Sequence, residues 1–505
     1  MSLRYLLSID LGTTSEKCVV YDETGKVKAE AQQEIKTIYP KTGQAEIPAM
    51  QFYELTCENI KKCLHTSKIN PKNIAGIAVD SLMGGIIGID KNYNPVTYYD
   101  TCMDTRDAYE SDYVLKNFGE LVLKKNGSYS VWGHKLLYWK KRNEWNEISK
   151  FIQPSAFVAG KLAGITAKNS FIDASFLSFS ALSNLSTSEW SDELIEALKI
   201  DMDKLPKIVN ATDIIGVTTK KTAELTGLVE GIPICAGCGD VTAGFIGAGV
   251  IKPGQMVDIS GTANILGISV SEYKYDRNVA CMKSPVENSY YFMSNVMGGR
   301  TLKWFTEEFF SEKKEELTKN GNDLYSYLDE KAESISPGSD GLVALIDLQG
   351  RFFPPDPSMR GLFIGHTWSH TRVHFYRSIL EAVAYDHYLT RRIVKKLFPK
   401  LDLNSAVTIG SGAKSKMWLQ IKADVLQIPF YRLGRSDLST LGAAIIAGLS
   451  VGIFKNIEEV LDKFINIKEV IEPVKNEDKK YSKYVETYIR SLDLMQEIYR
   501  KIFYQ

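Results

Sequence analysis

The stretch Ser8–Asp22 reads SIDLGTTSEKCVVYD and places a glycine- and hydroxyl-rich turn between two apolar segments. We predict one strand over residues 4–9 and another over Lys17–Asp22, because both segments are short, apolar and bounded by turn residues. The turn Asp10–Ser15 therefore closes a β-hairpin. Its backbone N–H groups and hydroxyls can converge on an anion, and Gly12 lets the backbone approach that anion without a Cβ clash.

A second hairpin of the same kind follows half a chain length later. The predicted strands Met256–Ser260 and Ile265–Val270 flank Gly261-Thr262, just as apolar strands flank Gly12-Thr13. Such a repeat predicts two domains of related architecture, each opening with a hairpin whose turn faces a shared cleft. Two such turns can hold a triphosphate from both sides, and the sequence has neither a Walker A loop nor a kinase-type glycine-rich loop.

Length and the alternation of elements support two domains. At 505 residues the chain is too long for one ordinary core, and its strands alternate with helical segments as in α/β domains. Apolar spacing predicts helices over Met50–His65 and, as an amphipathic tail, over Tyr481–Phe503. Residues 140–210 are predicted to be helix-rich. We place the boundary so that the domains cover residues 1–245 and 246–505.

Composition excludes several classes of partner. The chain carries 61 basic and 61 acidic residues, so no surface for nucleic acid or an anionic membrane is expected. The longest apolar stretch, around residues 443–454, falls short of the roughly 18 residues that span a bilayer, and the first residues lack a secretory apolar region. Seven cysteines favour a reducing cytoplasm over a disulfide framework. The C-x-x-C spacing of Cys235 and Cys238 suits a redox or zinc site, but nothing nearby completes one, so we favour packing at a buried strand end.

A third glycine cluster lies in the second half of the chain. Residues 407–418 (VTIGSGAKSKMW) predict a strand, a G-x-G turn and a helix that continues through Val425. Glycines at such a turn leave a flat surface on which an adenine or ribose can lie. Close packing of the helix on the strand explains the same glycines equally well, so both interpretations stay open.

Two aspartates are candidates for phosphoryl-transfer chemistry. Asp10 ends the first strand, where its carboxylate repels phosphate but can hold Mg²⁺ or the waters of that ion. Asp240 follows an apolar strand and sits among small residues. It either caps the following helix or orients an alcohol and accepts its proton. The chain has six histidines, and no histidine-based triad competes with this assignment.

Together these segments resemble the FGGY carbohydrate kinases, which belong to the actin, hexokinase and heat-shock ATPase superfamily. Residues 8–22 resemble the first phosphate motif of that family, and residues 257–265 (VDISGTANI) resemble the second. Residues 237–255 (GCGDVTAGFIGAGVIKPGQ) resemble its G-G-G-D stretch, and residues 409–426 (IGSGAKSKMWLQIKADVL) its adenosine motif. The resemblance covers essentially the whole chain.

The resemblance implies an ATP-dependent sugar kinase with two RNase H-like (actin-like ATPase) α/β domains flanking a catalytic cleft. It implies that Asp240 is the general base and that Asp10 organises Mg²⁺ through water. The implied ATP contacts come from the three glycine-rich turns: Gly12, Thr13, Thr14, Ser15, Gly261, Thr262, Gly410, Ser411, Gly412, Ala413 and Lys414. The implied acceptor contacts are Met83, Gly84, Asp104, Arg106 and Asp240. The expected partners are a small sugar and ATP, and we expect a cytoplasmic monomer or homodimer.

The loop after the predicted strand Ile74–Val79 leaves the acceptor open. Relatives that phosphorylate xylulose carry Gln-Met-His-Gly there, whereas this chain has Met83 followed by Gly84, and it lacks the Arg-Glu pair of glycerol kinases. Many pentulose kinases have Asn after the base, where this chain has Val241. A ketose such as xylulose is the nearest acceptor, with gluconate, rhamnulose, an autoinducer or a tetritol as alternatives. The alternatives of another class are a nucleotide-driven conformational ATPase and a sugar-binding regulator without catalysis.

Overall fold

The computed structural model describes residues 3–129, 131–286 and 288–503. Within them, the strands of the first half are β1 (Tyr5–Leu11), β2 (Ser15–Asp22), β3 (Val27–Glu34), β4 (Glu46–Ile47), β5 (Ile74–Ser81), β6 (Ile87–Ile89), β7 (Tyr99–Asp100), β8 (Lys150–Ile152), β9 (Phe171–Asp173), β10 (Ser183–Asn184), β11 (Glu189–Trp190), β12 (Lys207–Val209), β13 (Ile214–Val217), β14 (Pro233–Cys235) and β15 (Cys238–Gly239). The strands of the second half are β16 (Met256–Ser260), β17 (Asn264–Val270), β18 (Ala280–Lys283), β19 (Tyr290–Met293), β20 (Val343–Leu345), β21 (Leu362–Ile364), β22 (Ala406–Ile409), β23 (Phe430–Leu433) and β24 (Ile467–Ile471).

The α-helices of the first half cover these sheets and fill the segments between strands. They are α1 (Ala49–Ser67), α2 (Ala108–Asn126), α3 (Gly133–Trp139), α4 (Pro154–Ala163), α5 (Asp192–Ala197), α6 (Lys220–Thr226) and α7 (Asp240–Gly247). The helices of the second half are α8 (Gly298–Lys319), α9 (Leu324–Ala332), α10 (Arg372–Leu397), α11 (Lys416–Leu426), α12 (Leu438–Ser450), α13 (Ile457–Phe464) and α14 (Asp478–Phe503). None of the helices in the described ranges is long and apolar enough to cross a membrane.

The N-terminal sheet has the strand order β13-β14-β5-β1-β2-β3, and β15 also pairs with β5. The hairpin β1–β2 is antiparallel, and β1 runs parallel to β5 on its other side. The predicted hairpin therefore lies in the middle of the sheet. Its turn is shorter than predicted, because the strands extend to Leu11 and start again at Ser15. Asp10 consequently lies inside β1, at the end of a buried strand rather than in the turn.

The C-terminal sheet repeats this central arrangement. Its strand order is β18-β19-β17-β16-β22-β23-β24. The second predicted hairpin is β16–β17, which is antiparallel, and β16 runs parallel to β22 on its other side. The chain therefore has two sheet-containing α/β halves of related architecture, as the two hairpins predicted.

Predictions from local periodicity were accurate for the long helices and less so in the middle of the first half. The predicted helices at Met50–His65 and Tyr481–Phe503 correspond to α1 and α14. The prediction that residues 140–210 are helix-rich holds in part, since α4, α5 and several 3-10 turns lie there together with short strands and loops. Strands β9 and β12 pair with each other in parallel, and that pairing between distant residues overrides the local helical pattern. Cys235 and Cys238 are buried, unlinked residues at strand ends.

The two halves meet where α7 packs across α12. A Cβ added to Gly247 would lie 2.0 Å from the carbonyl oxygen of Leu438, and one added to Gly442 would lie 1.9 Å from that of Ala243. The two helix backbones are therefore in direct contact at the crossing. Helix α12 also reaches the N-terminal sheet, where the hydroxyl of Tyr21 donates a hydrogen bond to its N-cap residue, Asp437, at 2.6 Å.

Candidate active site

Three aspartates lie close together at one edge of the N-terminal sheet. Asp10 of β1 and Asp80 of β5 are register partners on adjacent parallel strands. Asp80 is also the register partner of Cys238 in β15, and α7 begins two residues later at Asp240. Because parallel strands end at the same edge of a sheet, the three carboxyl groups face one region. Asp80 had no predicted role in catalysis, although it ends an apolar strand just as Asp10 does.

Asp80 is the most deeply buried of the three carboxyls. Its side chain has no exposed surface, and no N–H or O–H group of the described structure donates to either of its oxygens. The carboxyl of Asp10 lies within hydrogen-bonding reach. Burial, and then the charges of Asp10 and Asp240, raise the pKa of Asp80 well above its ordinary value. Burial likewise raises the pKa of Asp10, so a cation between the two carboxyls would favour their ionised forms.

Asp240 is the first residue of α7 and keeps part of its surface in solvent. The backbone N–H of Val241 donates to its Oδ1 at 2.7 Å. Burial, followed by the charge of Asp10, raises the pKa of Asp240 to about 7. A carboxylate with a pKa near the working pH is well matched to accept a proton from an alcohol.

The aspartate cluster suits a magnesium ion that completes its coordination with water and phosphate, rather than a metal held by protein side chains alone. Within the residues that the structure describes, no group of three or more His, Cys, Asp or Glu side chains is arranged to hold a metal. Mg²⁺ usually takes one or two carboxylates and completes its coordination with water and substrate phosphates. Asp10 together with the unpartnered oxygens of Asp80 offers two such carboxylates.

The two glycine-threonine turns are open at their tips. In the first turn, the N–H of Gly12 donates to the carbonyl of Ser15 at 3.1 Å, and Thr13 and Thr14 are exposed. In the second, the N–H of Gly261 donates to the carbonyl of Ala263 at 3.0 Å, and Thr262 is exposed. The start of α8 packs against this second turn, since a Cβ on Gly299 would lie 2.0 Å from the carbonyl oxygen of Gly261. Both turns can therefore offer backbone and hydroxyl donors to an anion.

The third glycine cluster is a short 3-10 turn over Ser411–Lys414 that sits on the end of β16. Gly410 has φ +94°, and a Cβ there would lie 2.5 Å from the carbonyl oxygen of Ser260. A Cβ on Gly412 would lie 2.9 Å from the Cβ of Ser260. Close packing therefore accounts for both glycines. It also brings this turn against the residue that precedes Gly261, while Ser411 and Lys414 stay exposed and Ala413 is buried.

The loop after β5 contacts two segments beside Asp240. A Cβ on Gly239 would lie 2.4 Å from Sδ of Met83, so Met83 packs on the residue that precedes Asp240. A Cβ on Gly84 would lie 2.5 Å from the Cβ of Cys102, and Cys102 is an exposed residue. Met83, Gly84 and Cys102 therefore lie close to the candidate base.

Two family models match the chain, and together they cover most of it. The N-terminal domain of the FGGY family of carbohydrate kinases matches residues 5–247, and its C-terminal domain matches residues 256–451. The chain belongs to the FGGY family of carbohydrate kinases. It is therefore a sugar kinase with the actin-like ATPase fold of that family, in agreement with the resemblance of its motifs.

Named relatives of this FGGY kinase differ in their acceptors. A xylulose kinase from Staphylococcus epidermidis is 28% identical over 492 residues, which cover 96% of this chain and 95% of the relative. An autoinducer-2 kinase from Escherichia coli is 27% identical over 479 residues, covering 91% and 89%. Among solved structures, a gluconate kinase from Lactobacillus acidophilus superposes with a TM-score of 0.89 at 23% identity, over 99% of this chain and all of that one. That structural likeness concerns the fold.

The two remaining predicted acceptor residues of this FGGY kinase bind each other. Nε of Arg106 donates to Oδ1 of Asp104 at 2.9 Å, and its Nη2 lies 2.6 Å from Oε1 of Glu46. Oδ2 of Asp104 accepts from the backbone N–H of Ala45 at 2.9 Å. The guanidinium of Arg106 also lies 5.6 Å from the ring centroid of Tyr138. These contacts fix the segment that carries Cys102, and a contact of Asp104 or Arg106 with the acceptor stays a prediction.

Proposed function

We propose that this kinase transfers the γ-phosphate of ATP to a hydroxyl of a small sugar, most closely a ketose such as xylulose. The observation that carries the proposal is the environment of Asp240. This carboxyl begins a helix beside Asp10, its pKa is raised to about 7, and Met83 of the acceptor loop packs on the residue that precedes it. Several of the curated relatives, including the one from Staphylococcus epidermidis, are named xylulose kinases.

In the proposed mechanism, the two domains supply different parts of the reaction. The domain over residues 1–245 holds the acceptor, and Asp240 orients its hydroxyl and accepts its proton late in the transfer. The first turn, Gly12–Ser15, and the second turn, Gly261–Thr262, donate hydrogen bonds to the triphosphate. The turn at Gly410–Lys414, in the domain over residues 246–505, lies under the adenosine.

The carboxyls of Asp10 and Asp80 would hold Mg²⁺ in this scheme. The ion would neutralise charge on the phosphate oxygens. Its charge would favour the ionised forms of Asp10 and Asp80, and it would give the unpartnered oxygens of Asp80 a ligand role. Closure of the domains around the acceptor excludes water, which would otherwise compete for the phosphoryl group.

A second candidate acceptor is a molecule of the autoinducer-2 type. The relative from Escherichia coli carries that name. Gly84 also favours an acceptor other than xylulose, because xylulose kinases have His there and the contact with Cys102 leaves no space for a side chain. An acceptor that needs no hydrogen bond from residue 84 is compatible with this loop.

The test is release of ADP from ATP and Mg²⁺ with a panel of ketoses, polyols, sugar acids and autoinducer-2. We expect one member of the panel to stimulate ADP release strongly and the variant Asp240→Asn to abolish the stimulation. Turnover of ATP that no acceptor changes would instead indicate a conformational ATPase and contradict the proposal. Identification of the phosphorylated product by mass spectrometry then names the acceptor.

A further inference from the structure

A network of fully buried polar side chains lies beneath the second phosphate turn. Asp258 of β16, His387 of α10 and Lys422 of α11 have no exposed surface. Nζ of Lys422 donates to both carboxylate oxygens of Asp258, at 2.9 and 2.7 Å, and Nε2 of His387 lies 2.9 Å from Oδ1. The hydroxyl of Thr408 donates to Oδ2 at 2.8 Å. Three different elements therefore converge on one carboxylate.

Stability alone does not explain this network. Burial by itself would raise the pKa of Asp258, but Lys422 and His387 hold it well below its ordinary range, while burial lowers the pKa of Lys422. The two groups lie 2.7 Å apart, at the distance of an ion pair. Removing two charges from water costs about as much as their attraction returns. Apolar residues of the same volume would fill this space with equal or greater stability. A charged pair at this position therefore suits a role in which the orientation of a neighbouring residue must be held fixed.

The network holds Ser260, the last residue of β16. The hydroxyl of Ser260 donates to Asp258, with distances of 3.1 and 3.0 Å to the two oxygens, and Nζ of Lys422 contacts the same hydroxyl. Gly261 follows directly in the chain. Ser260 also packs against Gly410 and Gly412, because a Cβ added to either glycine would lie 2.5 or 2.9 Å from an atom of Ser260. Ser260 thus adjoins both turns assigned above to the nucleotide.

We propose that Asp258 and Lys422 are positioning residues for the nucleotide, which act by fixing Ser260 between the second phosphate turn and the adenosine turn. The proposal rests on the nucleotide role proposed above for these turns. Thr408 supports it, because this residue ties β22 to Asp258 immediately before the chain reaches Gly410. Neither Asp258 nor Lys422 contacts the reacting atoms in this scheme.

The experiment compares the double variant Asp258→Asn/Lys422→Met with the wild type. The double variant removes both charges but keeps side-chain volume and leaves the Asn able to bond His387 and Thr408. We expect the KM for ATP and the Kd for ADP to rise about tenfold, less than the roughly hundredfold effect of a 1 Å misplacement. The KM for the acceptor should change by less than about twofold, because the acceptor loop lies in the other domain.

Two further variants separate positioning from general loosening. Arg351→Met breaks another buried ion cluster of the same half, in which Nη2 of Arg351 lies 2.7 Å from Asp386. It should lower the melting temperature and leave the Kd for ADP unchanged. Ser260→Ala perturbs the core least and should reproduce the rise in Kd, with no further rise when it is combined with the double variant.

The proposal is overturned if the folded double variant binds ADP like the wild type, or if Arg351→Met weakens ADP binding to the same extent. Calorimetric binding of ADP needs no acceptor, so it remains informative if the panel of sugars finds no substrate. In that case an unchanged Kd counts against the positioning role, and absent stimulation counts against the proposed kinase acceptor.

Discussion

Replacing Asp240 with Asn should make the protein more stable and almost inactive, and the gain in stability should depend on pH. The folded protein resists ionisation of this carboxyl, whose pKa moves from an ordinary 3.8 to about 7 through burial and the nearby charge of Asp10. Between pH 4 and pH 7 the folded state therefore holds a proton that the unfolded state releases. The stability of the wild type must fall as the pH rises through that window. Asn cannot ionise, so the variant does not lose this stability as the pH rises.

The size of the effect follows from the same values. The interval from 3.8 to about 7 corresponds to about 4 kcal/mol, at about 1.4 kcal/mol for each pKa unit. Asp240 is partly exposed, so solvent reduces this figure and we expect about 2 kcal/mol at pH 8. For a domain of this size that raises the melting temperature by roughly 4–8 °C. At pH 4 the folded carboxyl is protonated and the unfolded one, with its ordinary pKa of 3.8, is about half ionised, so most of the difference should be gone.

The assay is thermal unfolding of wild type and Asp240→Asn at several pH values without Mg²⁺, and ADP release is measured separately on the same preparations with Mg²⁺ added. Turnover with the best acceptor should fall by about 10²- to 10⁴-fold, the usual contribution of a general base. The exposed Asp493→Asn is the matched control and should change neither quantity. An equal or lower melting temperature for Asp240→Asn at pH 8, or the same gain at pH 4 and pH 8, would refute the electrostatic reasoning. Near-normal turnover would refute the assignment of the base.

Three other substitutions test separate parts of the structure. Asp80→Asn should weaken Mn²⁺ binding in the presence of ADP, measured by electron paramagnetic resonance, by about tenfold; unchanged Mn²⁺ binding would exclude Asp80 from the metal site. Gly84→Ala places a Cβ against that of Cys102 and should cost about 1–3 kcal/mol and raise the acceptor KM. Adding Cys102→Gly should restore both, and failure to do so would mean that this contact is not the cause. Tyr21→Phe removes the hydrogen bond to Asp437 and should lower the free energy of unfolding in urea by about 1–2 kcal/mol; no loss would show that this link between the halves contributes nothing.

The sequence was sufficient for features that depend on neighbouring residues. Each hairpin is two apolar runs around a Gly-Thr turn, so its strands and turn could be predicted from Ser8–Asp22 and Met256–Val270 alone. Asp240 could be found because small residues surround it in the chain. The long helices α1 and α14 follow from apolar spacing, which tertiary contacts do not disturb.

Features that depend on strand order could not be predicted. Asp80 becomes a partner of Asp10 only because β5 lies next to β1, and no spacing along the chain encodes that adjacency. The same holds for Lys422, which meets Asp258 from a helix far along the chain. Pairing of β9 with β12 within residues 140–210 was also missed, because a strand stabilised by a distant partner leaves little signal in its own residues.

The contact between α7 and α12 has a consequence for how the two halves move. At Gly247 and Gly442 the helix backbones touch with no side chains interleaved between them, so no ridge of one helix is locked into a groove of the other. The crossing joins the two halves through backbone contact, and we expect closure of the cleft to turn the halves about this point. A methyl group at either glycine would push the two helices apart and should hinder closure of the cleft. Such a change should slow turnover, and because Asp240 begins the same helix α7 it should also displace the proposed base.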